Sequence, residues 1–180
     1  MVKPQESVSF NAEQVRRLKN LVARGEGLTL EFKRKAAHPE KIIREMIAFA
    51  NTGGGILLIG IGDDGSIPGL KYPEDESHAV RQALKSCKPA LQFSETFIAI
   101  GNSRTVIQYE IPESSTKLHY LAATGNVYES YVRVADKTIK ASREMREILK
   151  QARRKKGVRF HYGEHEQFLM RYLDAKPYIT

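Results

Sequence analysis

Helical and alternating apolar patterns divide the chain into a series of short elements. From Asn11 to Gly25, Val15, Leu18, Leu21 and Val22 recur at helical spacing. Asn11 can cap the start of that helix, Glu13 and Gln14 suit its first turn, and Gly25 can stop it. Leu28, Leu30 and Phe32 then alternate with Thr29, Glu31 and Lys33, which predicts a half-buried strand whose polar face carries a carboxylate beside basic groups. Behind Pro39, a favourable first helical residue, Ile42, Ile43, Met46, Ile47 and Ala50 predict a helix from about Glu40 to Asn51. Thr52-Gly53-Gly54-Gly55 ends it, because glycine adopts left-handed backbone at little cost. Ile56 to Ile61 is an apolar run too short for a helix, the pattern of a central strand covered on both faces. Asp63-Asp64-Gly65-Ser66 forms a tight turn.

The second half has the same texture. An acidic first turn at Glu74-Asp75-Glu76 opens a helix that runs to about Cys87 and is broken by Lys88-Pro89. Phe93 to Ile100 and Arg104 to Ile111 predict paired strands around Gly101-Asn102-Ser103. Lys117 to Ala123 and Asn126 to Val134 read as further strands, and Asp136-Lys137-Thr138 turns the second back through Ile139-Lys140. Ser142, Met145, Ile148 and Leu149 begin another helix, and Glu164 to Leu173 predicts a short one near the end. The order implies an α+β fold: a single compact domain with a mixed β-sheet flanked by helices. Residues 1–10 read as a loose arm, 11–156 as the domain and 157–180 as an extension.

Composition changes the picture in one respect. The net charge of +8 and the pI near 9.6 point to a polyanionic partner. No apolar run approaches the ~20 residues of a membrane span, and Met1 to Glu6 lacks the apolar core of a secretory leader. The one cysteine, Cys87, excludes an intrachain disulfide. A soluble cytoplasmic protein is expected.

Candidate chemistry falls into three sets. Gly60-Ile61-Gly62-Asp63-Asp64-Gly65 fits a dinucleotide-type glycine pattern, but Ser66-Ile67-Pro68-Gly69 does not open a helix and two aspartates repel phosphate. With no Walker-type sequence either, neither NAD-dependent nor ATPase chemistry has support. Glu26, Glu31 and Asp63, with Asp64 adjacent, could converge if the strand of Glu31 pairs beside Ile56–Ile61. Three carboxylates hold a hard cation such as Mg or Mn, which can activate water against a phosphodiester. The plainer reading makes Glu31 a strand residue paired with a lysine and the aspartates a turn. The third set is basic: Lys33, Arg34 and Lys35, and Arg143, Arg146, Lys150, Arg153, Arg154, Lys155, Lys156 and Arg159 along the last helix and its exit. Arg143, Arg146 and Lys150 share one face and suit phosphate contact; a solvated helix end with cations at the negative dipole is the alternative. The histidines His38, His78, His119, His161 and His165 read as surface residues, and Cys87 as buried.

At this point the chain resembles a known family. Glu26 to Lys33 matches an opening E-x-x-x-x-E-F-K. Ala48-Phe49-Ala50-Asn51-Thr52-Gly53-Gly54, then Leu58-Ile59-Gly60-Ile61 and Asp63-Asp64-Gly65, match its core, and Pro68-Gly69-Leu70 the segment that follows. Tyr131-Val132-Arg133-Val134 with Ala141-Ser142 is similar to its C-terminal signature, although Ala135-Asp136 replaces the usual glycine. The family is that of Schlafen AlbA-type domains, often described as DNA-binding or transcriptional-regulator modules. The resemblance spans about Leu18 to Leu149. It implies a nucleic-acid-binding domain, of DNA or RNA, and a homodimer is expected because a single copy needs self-association to form a groove. It also implies an alternative, because some Schlafen proteins are metal-dependent endoribonucleases of structured RNA; their two glutamates and one aspartate would fall on Glu26, Glu31 and Asp63, serving as catalytic groups and as ligands for Mg or Mn. Those nucleases carry paired domains and this chain has one copy. A protein-interaction module is the remaining class.

Overall fold

In the computed structural model, which describes residues 4–115, 118–122 and 128–154, the central apolar run lies in the middle of the main sheet. This strand, β2 (Gly55–Ile59), pairs in parallel with β1 (Leu30–Lys33), and antiparallel on its other side with β5 (Arg104–Ile111). β4 (Ser94–Gly101) closes the order β1-β2-β5-β4. A mixed sheet of this kind needs cover on both faces. Helix α1 (Pro4–Ala23) lies against one face, where Leu18 and Val22 pack on Phe32, Leu58, Ile98 and Val106. Helix α2 (Pro39–Asn51) and helix α3 (Pro73–Leu84) cover the other. Ile43, Met46, Ile47 and Phe49 of α2 are completely buried there with Leu57, Ile59 and Ile107.

Two small sheets complete the α2 side. β3 (Cys87–Lys88), β6 (Tyr120–Ala122) and β7 (Tyr128–Glu129) form one; β8 (Tyr131–Val134) and β9 (Lys137–Lys140) form a hairpin that packs on α2. Helix α4 (Arg143–Arg154) buries Met145 and Leu149 against Val132 and Val134 of that hairpin.

The α+β class and the mixed sheet agree with the sequence pattern, and several details differ, among them the helix expected to run to about Cys87, which ends at Leu84 and leaves Cys87 in β3. Helix α1 begins at Pro4 and so takes in most of the stretch expected to be an arm, with a proline suited to a first helical turn. The expected strand from Asn126 to Val134 is broken at the buried Ser130, which separates β7 from β8. β1 is buried on its polar face as well, so Glu31 is not a half-solvated residue. The expected helix from Glu164 to Leu173 lies outside the described residues. No helix among the described residues is long and apolar enough to cross a membrane.

Cys87 is buried as expected, and burial pushes its thiol up to about 12. Relative to a free thiol of pKa ~8.5, its thiolate fraction at pH 8 is smaller by about a thousandfold. Native protein should therefore react with a thiol reagent only at the rate of unfolding. Labelling at the rate of a free thiol would contradict this placement.

Candidate nucleic-acid interface and its buried ionic centre

The parallel pair β1 and β2 carries its chemistry to one end of the sheet. Gly60 and Ile61 donate their backbone N–H groups to the carbonyl of Lys33, at 2.7 and 3.2 Å, which holds the exit of β2 against the exit of β1. Lys33, Arg34, Lys35, Asp63 and Asp64 thus follow the carboxyl ends of neighbouring parallel strands, where open sheets commonly place ligands. The Asp64 carboxylate accepts the Ser66 N–H at 2.9 Å and forms the turn. Ser66, through its hydroxyl and its N–H, holds the Asp64 carboxyl below its ordinary value, and Arg34 adds a smaller attraction. Gly65 has φ +76 in this turn, and no helix opens after it, so the glycine pattern is a turn and not a pyrophosphate cradle.

Glu31 does not point into that solvent-facing end. One of its carboxylate oxygens pairs with Lys33, and the other accepts from Arg133 at 3.0 Å. Arg133, on β8, is 1 % exposed and is the largest fully buried side chain among the described residues. It also donates to Glu45 of α2 at 2.8 Å, to Thr138 of β9 at 3.2 Å and to the carbonyl of Gly27 at 2.5 Å, and its guanidinium lies 5.0 Å from the centre of the Phe49 ring. Thr138 in turn donates to Glu45. One cation therefore ties β1, α2, the hairpin β8–β9 and the loop before β1 into a single ionic centre. Its two carboxylates offset the cost of removing a guanidinium from water. Glu26 stands apart from this centre. Its carboxylate accepts the Phe32 N–H at 2.8 Å and covers a backbone donor on the outer side of β1.

The three acidic residues are thus brought to the same side of the sheet order but not to one point. Glu31 is engaged by two cations, Glu26 caps a backbone donor, and Asp63 is exposed beyond the end of β2. Among the described residues no group of three His, Cys, Asp or Glu side chains is placed to hold a metal ion. The carboxylates as arranged do not fit a divalent cation, and no cleavage step follows from them.

Of the basic set, Arg34, Lys35 and Arg143 are exposed and Arg146 is half-buried; none makes an ion pair among the described residues. Lys33 is bound to Glu31, and Lys150 pairs with Glu147 at 2.9 Å. Arg153 and Arg154 end helix α4, whereas Lys155, Lys156 and Arg159 lie outside the described residues. The cations Arg143 and Arg146 flank the buried Met145, so α4 turns one face to the hairpin and presents arginine beside it.

A sequence profile of the Schlafen AlbA_2 family matches residues 26–142, the span that holds β1, α2, β2 and the arginine-bearing hairpin. This chain belongs to the Schlafen AlbA_2 family. Among solved structures, it is similar to the N-terminal domain of a RecG-related protein from Nitrosomonas europaea, at 26 % identity over 60 % of this chain and 82 % of that one, with a TM-score of 0.48. It is also similar to the DIP2311 protein from Corynebacterium diphtheriae, at 17 % identity over 82 % of this chain and 29 % of that one, with a TM-score of 0.51. No protein of curated function matches the sequence. The family's motif residues now have physical roles in the AlbA_2 domain. The arginine of its C-terminal signature is the hub that neutralises Glu31, and the asparagine of its core motif is a second hub.

That second hub was not apparent from residue spacing, which reads Asn51 as the end of a helix. Its side-chain amide donates to the carbonyls of His119 and Tyr131 and to the Ser130 hydroxyl, at 3.1, 3.0 and 3.0 Å, and its oxygen accepts the His119 N–H at 2.8 Å. His119 is itself buried, contrary to the surface role expected for it, with Nδ1 2.8 Å from the carbonyl of Pro89 and Nε2 2.9 Å from the Ser114 hydroxyl. An asparagine directly after the apolar run Met46 to Ala50 was the available signal, since a buried amide needs partners. Asn51→Ala strips those partners of their bonds and should cost at least ~2 kcal/mol in urea unfolding, from the ~1–3 kcal/mol penalty per buried group left unpaired. A cost below ~0.5 kcal/mol would show that water replaces the amide.

Proposed function

We propose that this AlbA_2 domain binds nucleic acid through its phosphate backbone, using Arg34 and Lys35 beyond β1, and Arg143 and Arg146 with Arg153, Arg154, Lys155 and Lys156 at the last helix. Lys33 and Lys150 contribute charge to the same patches. The observation that carries this reading is the placement of exposed cations in a chain of net charge +8: Arg34 and Lys35 follow the carboxyl end of β1, Arg143 opens α4, and these three and Arg146 are among the cations that make no ion pair among the described residues. Cations held out of ion pairs remain available to displace counterions from phosphate. Backbone contacts of this type position a protein without reading bases, so duplex DNA and structured RNA are both substrates for the test. The domain acts as a pair of identical copies, which brings two such basic surfaces to one polyanion.

Fluorescence anisotropy with labelled duplex DNA and a labelled RNA hairpin tests the reading. The double variants Arg34→Ala/Lys35→Ala, Arg143→Ala/Arg146→Ala and Arg153→Ala/Arg154→Ala should each weaken binding and flatten its salt dependence by about one unit of slope for each phosphate no longer neutralised. Undiminished binding in all three would assign the contact to another surface. No binding at low salt by the wild type would favour a protein-interaction module.

A further inference from the structure

The two edges of the main sheet are treated differently. On β1, the Leu30 carbonyl accepts the Gly27 N–H at 2.9 Å, the Phe32 N–H is taken by the carboxylate of Glu26 at 2.8 Å, and the Phe32 carbonyl accepts from Lys33 Nζ at 3.0 Å. These groups lie on the side away from β2, whose bonds use Thr29 and Lys33 carbonyls. That edge is closed, and its carboxylate and ammonium repel another strand. At the far edge, β4 runs for eight residues, Ser94-Glu95-Thr96-Phe97-Ile98-Ala99-Ile100-Gly101, with no proline and no lysine. Beyond its ladder with β5, no group among the described residues bonds its backbone. Its ladder with β5 shifts register between Ala99 and Gly101, so the regular uncapped segment is Ser94 to Ala99; a stretch of this length with β-branched and aromatic residues is a template for pairing.

We infer that β4 pairs antiparallel with β4 of a second copy of this chain, across a two-fold axis, joining two four-stranded sheets into one of eight. The strand is complementary to itself. Its only ionisable side chain, Glu95, is already neutralised within its own chain by Arg81 and accepts the Ser77 hydroxyl at 2.6 Å. A two-fold axis centred on Thr96, Phe97 or Ile98 sets Glu95 opposite Phe97, Ala99 or Gly101 of the other copy, never opposite another Glu95. Like charges therefore do not meet, although each copy carries a net charge of +8. The pairing also covers apolar side chains that one chain leaves half-exposed: Phe97 on the α3 face and Ile100 on the α1 face. This deepens the pairing proposed above by placing it on one strand, and it requires no nucleic acid.

Sedimentation velocity of the full chain, without nucleic acid and over a range of micromolar concentrations, tests the placement. The wild type should sediment as a dimer. Ala99→Asp, at an exposed position, introduces a carboxylate that faces Phe93, Glu95 or Phe97 of the second copy in those three registers, and should weaken association by at least about tenfold. Ala37→Asp, exposed in the loop after β1, should leave association unchanged. Hydrogen exchange of the wild type gives an independent reading, because β4 amides that face outward should gain protection as concentration rises. A monomer throughout, or a dimer with concentration-independent β4 exchange, overturns the inference. Either result leaves the phosphate-binding reading standing if anisotropy still shows salt-dependent binding.

Discussion

Arg133→Ala should destabilise the domain by about 3–5 kcal/mol, the range found when one partner of a buried ion pair is removed and the other charge stays buried. The side chain is 1 % exposed and contacts Glu31, Glu45, Thr138, the Gly27 carbonyl and the Phe49 ring. Its loss leaves two carboxylates whose side chains are only 10 % and 15 % exposed facing a cavity. Lys33 still pairs with Glu31 and Thr138 still bonds Glu45, which places the effect inside this range rather than beyond it. Urea unfolding measures the cost. A triple variant, Arg133→Met/Glu31→Gln/Glu45→Gln, removes all three charges and should recover much of it, because apolar or neutral replacements of a whole buried ionic group are often tolerated. A cost below ~1 kcal/mol for Arg133→Ala would mean that water enters the site and the ionic centre is not what joins the hairpin to the sheet.

This placement of Glu31 has a consequence for function. A carboxylate whose oxygens are held by Arg133 and Lys33 contributes no free charge at the sheet end. The neighbouring Arg34 and Lys35 stand near Asp64, which is partly committed to Ser66, and near Glu76, whose carboxylate accepts the Ala36 N–H. The ionic centre thus leaves a neutralised interior beside exposed cations.

Much of this architecture was legible from residue patterns, because the apolar positions decide it. The apolar run from Ile56 supplies β2, which ends at Ile59 before Gly60, and the helical spacing of Ile42, Ile43, Met46 and Ile47 becomes α2, with its end at Asn51. The site was legible only as a set of residues. Alternation at Leu28 to Lys33 marks a strand with Glu31 on its polar face, yet it carries no sign that a hairpin some hundred positions later covers that face with an arginine. For the same reason Ser130 looks like one residue in a long strand, when its hydroxyl donates to the His119 carbonyl at 2.9 Å and interrupts the ladder. His119 and Asn51 are polar residues whose partners are distant in sequence, and local periodicity does not report such pairs.

The phosphate-binding reading has the second large expected effect, and it is one of salt. With one phosphate contacted by each of Arg34, Lys35, Arg143 and Arg146, the slope of log K against log salt is about −3.6 on duplex DNA. Between 50 and 200 mM salt that slope lowers affinity by roughly 150-fold. Contacts from Arg153, Arg154, Lys155 and Lys156 would steepen it further. The direct measurement is the wild-type titration of labelled duplex DNA across that salt range. A slope of about −3.6 or steeper, falling toward zero as the arginine pairs are removed, is the result predicted. Binding insensitive to salt, or none at the lowest salt, would contradict it.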